Sequence, residues 1–348
     1  MTLVTIQRVL VCEDSAVFAA ALIRLLEFDG DIKVSAVCTT AAEAIAALPR
    51  IRPDLVTMDL ELPDMNGLKA VEEIMSSRPV PILVLSGVLG MGSDRSAAAL
   101  AFGALGALSK DDLGLRDPAG AIAAAFRRQV RILGQATVIR HLRAGLKARP
   151  EAEVLTQRTS VIGICASTGG PQILVRVLQE LPADYPIPLL VVQHIGAGFA
   201  EGLADWLDQV VRLPVAVARD GAPARPGVWV APSGAHLRLT RAGLLFLDRR
   251  NTAGPHCPSG NALLESIAAA AGRTGVAVVL SGIGSDGAAG AAEIRRRGGL
   301  AIAQDKASSA VFGMPRAAIE LGVQIVQSPA QLATTLLGLK PAPIPGPR

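Results

Sequence analysis

Short, almost purely apolar runs that stop abruptly at turn residues recur along this chain, with helical periodicity between them. Runs of this length, bounded by Gly, Pro or acidic residues, read as strands buried on both faces of a parallel sheet. Strands that alternate with helices through short connections imply doubly wound α/β units. The pattern occurs twice. In the first block the spacing predicts strands at 8–12, 33–37, 55–58, 82–85 and 104–108, and helices at 16–27, 41–48, 68–76, 96–101 and 119–130. A second block begins near Ser160 and continues to about Leu339. Its strongest strands are 161–165, 189–193 and 276–280, and a Gly- and Pro-punctuated β section covers 215–247, with short strands at 228–230 and 237–239.

Composition supports two packed units. With 348 residues, half of them hydrophobic, both blocks have enough apolar material for a core, and a charged fraction of 18% argues against extended disorder. Cys12, Cys38, Cys165 and Cys257 show neither metal-ligand spacing nor a disulfide framework. Three of them lie in or beside apolar runs and read as buried reduced thiols, which fits a cytoplasmic setting. The first ten residues lack a basic opening, and Glu13-Asp14 interrupts the apolar stretch, so no signal peptide is expected. The longest apolar stretch, 97–108, is too short and Gly-broken to span a bilayer. The expectation is a soluble protein without direct membrane insertion. A net charge of +4 and a pI of about 9.1 raise the question of nucleic acid, but 3% aromatic residues argue against a base-stacking platform.

Between the blocks the texture changes. Arg127, Arg128, Arg131, Arg140, His141 and Arg143 open a basic stretch interrupted by Pro150. It reads first as a linker whose early part continues a helix, and second as a surface for anionic partners. The expected organisation is an N-terminal domain over 1–126, a basic linker over 127–157, a second domain over 158–340 and a proline-rich, disordered tail over 341–348.

Three strands of the second block each leave a reactive residue at their carboxyl end: Ser167, His194 and Asp286. In open α/β sheets the carboxyl ends line the ligand crevice, so the three can converge as the residue set of a serine hydrolase. Ser167 lies on the turn Ala166-Ser-Thr-Gly-Gly-Pro171, where the glycines allow a tight reversal and Pro171 suits the first turn of a helix. Neighbouring N–H groups there can stabilise an oxyanion. His141, His236 and His256 are the other candidate bases, but only His194 directly follows a strong buried strand. Asp286 in the glycine-rich loop 282–287 is the best orienting carboxylate. A lone serine on such a turn is more often a helix cap, and a strand-end histidine often a structural partner. Spacing alone leaves these readings open. A nucleotide-binding second domain is the alternative, but neither G-x-G-x-x-G nor G-x-x-x-x-G-K-[ST] appears. A DNA-binding output is a further alternative, and the long apolar α/β unit lacks a terminal basic recognition helix.

In the first block, Glu13 and Asp14 end the first strand, Asp59 the third and Ser86 the fourth, while Lys110 follows the fifth. Clustered carboxylates need a cation, and hard oxygen ligands suit Mg²⁺. Asp59 could then attack phosphorus to form an acyl phosphate, with Lys110 and the Ser86 hydroxyl on the remaining phosphoryl oxygens.

The acidic pair, the Asp59 segment ending in Met65-Asn-Gly67, the hydroxyl and the lysine occur in the order of response-regulator receivers, which this block resembles. The resemblance implies a flavodoxin-like domain phosphorylated at Asp59 by a histidine kinase. Two positions depart from the family pattern: Asp111 follows Lys110 where proline is usual, and Ala107 stands where an aromatic is usual. The segments 164–171, 192–194, 231–236, 280–288, 304–309 and 313–315 make the second block similar to the catalytic domain of the chemotaxis protein-glutamate methylesterases, the CheB family. That resemblance implies a Rossmann-like domain with a mainly parallel sheet, with Ser167 as nucleophile, His194 as base and Asp286 as its orienter. It further implies methyl-accepting chemoreceptors as substrate, receptor glutamine as a second substrate and no cofactor for ester hydrolysis. Ile283 replaces a common methionine at a position whose contribution is a backbone N–H.

Overall fold

The computed structural model describes residues 6–87, 98–100, 102–136, 138, 157–196, 198–250 and 256–343. Two units separate near residue 142.

The first unit carries the strands β1 (Gln7–Cys12), β2 (Ile32–Cys38), β3 (Leu55–Asp59), β4 (Ile82–Ser86) and β5 (Gly106–Ser109). They form one parallel sheet in the order β2-β1-β3-β4-β5. β3 and β4 are buried at every position, as expected of mostly apolar strands covered on both faces. The helices are α1 (Ala16–Leu26), α2 (Ala41–Ile51), α3 (Gly67–Ser77) and α4 (Ala121–Leu133). Ser15, Thr40 and Asn66 cap the first three by accepting a backbone N–H two or three residues on. Residues 98–100 are helical, while 96, 97 and 101 of the helix expected at 96–101 lie outside the described residues. The strand order reverses between β1 and β3, which places the ends of these two strands on either side of a crevice.

The boundary expected at 126 falls inside α4. That helix buries Phe126, Val130 and Leu133 against the first unit. The Arg127 guanidinium is buried and pairs with Asp29 at 2.7 Å, and Arg131 pairs with Asp31 at 2.6 Å. These arginines belong to the framework of the first unit and not to a linker. The linker residues 139–156, His141 among them, lie outside the described residues.

The second unit contains β6 (Arg158–Thr159), β7 (Val161–Ala166), β8 (Pro188–Gln193), β9 (Val215–Val217) and β10 (Gly227–Val230). A hairpin of β11 (His236–Leu239) and β12 (Leu245–Asp248) follows, then β13 (Gly275–Val279), β14 (Leu300–Gln304), β15 (Ile325–Gln327) and β16 (Lys340–Pro341). Its main sheet is parallel throughout, in the order β15-β14-β13-β7-β8-β10-β9. The tail expected to be disordered from 341 instead begins as strand: β16 pairs with β6, and Ala342 N–H donates to Thr159 O at 2.8 Å. Residues 344–348 lie outside the described residues.

The helices are α5 (Gly170–Leu178), α6 (Ala200–Val210), α7 (Gly260–Ala271), α8 (Ala288–Arg296), α9 (Met314–Glu320) and α10 (Pro329–Gly338). Alternation along β7 sends Ile162, Ile164 and Ala166 into the core beneath α5, α6 and α10, and Val161 and Cys165 into the core beneath α7, α8 and the hairpin. Gly163 faces α7, where a Cβ would come within 2.5 Å of Leu264 Cδ2 and 2.6 Å of Ile267 Cδ1. The bare backbone lets α7 lie close against the sheet. β7 and β13 flank the point where strand order reverses, and β8 adjoins β7, so the three strand ends singled out by the sequence are neighbours.

Candidate active site

Ser167 directly follows β7. Its N–H donates to Ser281 O at 3.0 Å, which ties it to the end of β13, and its own carbonyl accepts the Gly170 N–H at 2.8 Å. Gly169, with φ of 74°, makes the reversal into α5, and Pro171 occupies the first turn of that helix. A Cβ on Gly282 would lie 2.7 Å from Ser167 Cβ, so the loop after β13 passes directly against the serine. The buried Gln193 amide donates to both Ser167 O (2.8 Å) and His194 O (3.0 Å), joining the two backbone turns.

His194 follows β8, and its backbone N–H donates to Ala166 O at 2.9 Å. Its Nε2 lies 2.8 Å from Asp286 Oδ2. Its Nδ1 is buried and has no hydrogen-bond partner among the described residues. Asp286 accepts three further hydrogen bonds: from Ser259 Oγ (2.9 Å), Gly260 N–H (2.6 Å) and Asn261 N–H (2.9 Å). Burial pushes the Asp286 carboxyl up. The His194 hydrogen bond and the N–H groups at the start of α7 outweigh that and hold it well below the usual aspartate range. An ionised carboxylate fixes the proton on Nε2 and leaves Nδ1 as the basic nitrogen. A hydroxyl on a strand-to-helix turn, an oriented imidazole and a buried carboxylate are together competent for acyl transfer.

The structure thus brings Asp286 onto His194 and places Ser167 at the adjacent strand end. The other histidines have different settings. His236 is buried, and its Nδ1 accepts the Ser259 N–H at 3.1 Å, so it supports the entry to α7. The His256 ring lies parallel to that of His194, with centroids 4.3 Å apart and planes 7° from parallel. Burial, then the neighbouring His194, hold the His256 imidazole below its ordinary value. Sequence reasoning did not find the donors to Asp286 from 259–261. Pro258-Ser-Gly260 ahead of an apolar run signals a helix start, but nothing local says that its N–H groups face a carboxylate 25 residues on. Cys165 is fully buried, and burial together with Asp286 raises its thiol well above the ordinary range, which leaves it inert.

The segments at 304–309 and 313–315 act as braces. Gln304 Oε1 accepts the Ser281 N–H at 2.7 Å, and Ser281 Oγ donates to Thr168 O at 2.7 Å. Gly282 O accepts the Met314 N–H at 2.9 Å.

In the first unit, Glu13 and Asp14 follow β1, Asp59 ends β3, Ser86 ends β4 and Lys110 follows β5. Carboxylate oxygens of Glu13, Asp14 and Asp59 lie within 4.8 Å of one another. Lys110 Nζ bridges Glu13 Oε2 and Asp59 Oδ2 at 2.7 Å each, and sits 4.5 Å from the centre of the Phe18 ring. Burial pushes the Glu13 carboxyl up, and the Asp59 charge adds to this against the opposing pull of Lys110. Burial alone would lower the Lys110 ammonium, but its two carboxylate partners raise it. Ser86 is buried at the strand end beside Asp59. At the two departures from the receiver pattern, Ala107 is buried on β5, and Asp111 donates its N–H to Ser109 Oγ at 3.3 Å, a bond that proline could not make.

A receiver-type acidic crevice on one parallel sheet and a Ser/His/Asp edge on another define a response regulator joined to an α/β hydrolase. Residues 9–113 match the response regulator receiver domain, and residues 162–336 match the CheB methylesterase. A protein-glutamate methylesterase/protein-glutamine glutaminase of Anaeromyxobacter dehalogenans is 43% identical, covering 90% of this chain and 91% of its own. A Myxococcus xanthus protein of the same description is 40% identical over 88% of this chain and 89% of its own, and one from Escherichia coli is 35% identical over 90% and 91%. The crystal structure of the Thermotoga maritima CheB methylesterase catalytic domain superposes with a TM-score of 0.50 at 36% identity, covering 51% of this chain and 97% of that one. The chain belongs to the CheB methylesterase family, with an N-terminal receiver. A nucleotide- or DNA-binding output domain therefore finds no support. Among the described residues no helix is long and apolar enough to cross a membrane.

Proposed function

We propose that this protein hydrolyses γ-glutamyl methyl esters on chemoreceptors, releasing methanol, under the control of its phosphorylatable receiver, and so serves adaptation in chemotaxis. The observation that carries the reading is the 2.8 Å bond between His194 Nε2 and Asp286 at the sheet edge where Ser167 ends a neighbouring strand. Asp286 holds the Nε2 proton, and Nδ1 takes the Ser167 proton as Oγ attacks the ester carbonyl. The Ile283 N–H stabilises the oxyanion. Collapse of the tetrahedral intermediate breaks the C–O bond to methoxide, which leaves as methanol with the proton from His194. Water, deprotonated by the same nitrogen, then attacks the acyl-enzyme, and Ser167 leaves with the proton to yield glutamate. The same cycle on receptor glutamine releases ammonia instead of methanol.

In the receiver, the oxygen cluster of Glu13, Asp14 and Asp59 fits a hard divalent cation, and these residues would hold Mg²⁺. When bound, the ion supplies neutralisation of the phosphoryl charge. Asp59 attacks the phosphorus of a phosphohistidine on the partner kinase, displacing the imidazole. Lys110 and the Ser86 hydroxyl then engage phosphoryl oxygens. On this reading the protein works in the cytoplasm, with no nucleic-acid partner and no cofactor in ester hydrolysis.

Methanol release from methyl-labelled receptor membranes tests the hydrolase. Ser167→Ala is expected to lose about 10⁶ in kcat, and Cys165→Ala to remain active. Near-normal release by Ser167→Ala would remove the reading. Labelling by a small phosphodonor with Mg²⁺ tests the receiver, with Asp59→Asn expected to remain unlabelled.

A further inference from the structure

We infer that His256 is a positioning residue of the hydrolase: its ring stacks on the His194 imidazole and fixes the plane in which the base works. The inference rests on the assignment of His194 as the base. A hydrogen bond to Asp286 holds one edge of the His194 ring, but a single bond at that edge still allows the ring to tilt about its Cβ–Cγ bond. The Nδ1 proton acceptor lies in the ring plane, so such rotation swings it away from the serine hydroxyl. A second restraint must act on the ring face, because a partner on Nδ1 would consume the basic nitrogen.

His256 supplies that restraint. The rings are 7° from parallel with centroids 4.3 Å apart, which makes them stacked. Stacked aromatic pairs of this kind are favourable beyond the area they bury. The stack covers one face of the base and leaves both ring nitrogens to their own tasks. It is also built from the same stretch of chain as the carboxylate's support. His256 stands three residues before Ser259, and residues 259–261 donate the three hydrogen bonds that hold Asp286. Ser259 is itself anchored by its N–H to His236 Nδ1 at 3.1 Å. Residues 256–261 thus restrain the base twice, edge-on through Asp286 and face-on through His256.

The flatness of the side chain is what matters on this view, and not its nitrogens. In the full-length enzyme, His256→Phe is expected to retain kcat within about threefold of wild type. His256→Leu, with similar bulk and no flat ring, and His256→Ala are expected to lose about tenfold or more in kcat with KM unchanged, the scale at which small misplacement of a reacting group acts. Circular dichroism and the melting temperature establish that each variant is folded. Wild-type rates in His256→Ala, or Leu performing as well as Phe, would overturn the stacking role. A Phe variant as slow as Ala would also overturn it and point to a ring nitrogen in proton transfer. His194→Ala is the separate control: full activity there would remove the base assignment itself, whatever the His256 series shows.

Discussion

Asp286 accepts four hydrogen bonds, and only one of them comes from the imidazole. Its loss therefore does two things that loss of Ser167 does not. Asp286→Ala is expected to lower kcat by about 10⁴ by removing the orienter of the base. It should also destabilise the fold by about 2 kcal/mol, because the donors at the start of α7 are left unpaired in the interior. Ser167→Ala should silence the enzyme with the melting temperature unchanged. Paired measurements of rate and melting separate the two. In the receiver, Glu13 is raised above its ordinary value of 4.5 by burial. A raised carboxyl holds its proton at higher pH, and a metal ligand must be deprotonated. Mg²⁺ affinity is thus expected to fall as pH drops from 7, with the decline beginning above pH 4.5. Glu13→Gln should be weak at every pH, and titration calorimetry reads both.

At the scale of elements, the site depends on how closely α7 approaches β7. Gly163 is the point of contact, and a Cβ there would lie 2.5 Å from Leu264 and 2.6 Å from Ile267. Gly163→Ala is expected to cost about 1–3 kcal/mol by overpacking. Because the start of α7 holds Asp286, it should also slow ester hydrolysis although residue 163 touches no reacting atom. A denaturation curve and a kcat measurement check the pair of effects, and a stable variant of normal rate would sever the link between helix docking and the site. The mid-strand glycine looks like a defect in a β pattern until α7 is laid across it, which is why its role was not legible in the sequence.

For the whole molecule, the join between the two units decides how control is tested. The unphosphorylated receiver is expected to restrain hydrolysis, and phosphodonor with Mg²⁺ should raise methanol release by the full chain but not by Asp59→Asn. Removing the receiver should likewise raise the basal rate. The cut belongs after residue 142 and not at 126, since α4 runs to Leu133 with Phe126, Val130 and Leu133 buried against the first unit. A chain cut at 126 would carry that apolar stretch exposed. If the 143–348 fragment is no faster than the unphosphorylated full chain, the receiver acts by recruiting the receptor or by assembling the site, and the hydrolase assignment stands.

The apolar runs by themselves determined that two parallel sheets form and that Ser167, His194, Asp286, Asp59 and Lys110 end or follow strands. Strand burial is written in local hydrophobicity, and the chain must turn where that hydrophobicity stops. Local pattern also misled in two places: the basic stretch after residue 126 reads as a linker whose early part continues a helix, whereas that helix belongs to the first unit, and proline in the tail reads as disorder. Arg127 is buried because Asp29 lies 2.7 Å away, and Pro341 is held because β6 offers a free edge. Both partners are far off in sequence. The tertiary structure alone decided which strand ends are neighbours, which nitrogen of His194 faces Asp286, that the start of α7 keeps that carboxylate charged, and that His256 covers the base. Each of these is a contact between segments tens of residues apart, set by sheet order and helix packing, and no local propensity encodes it.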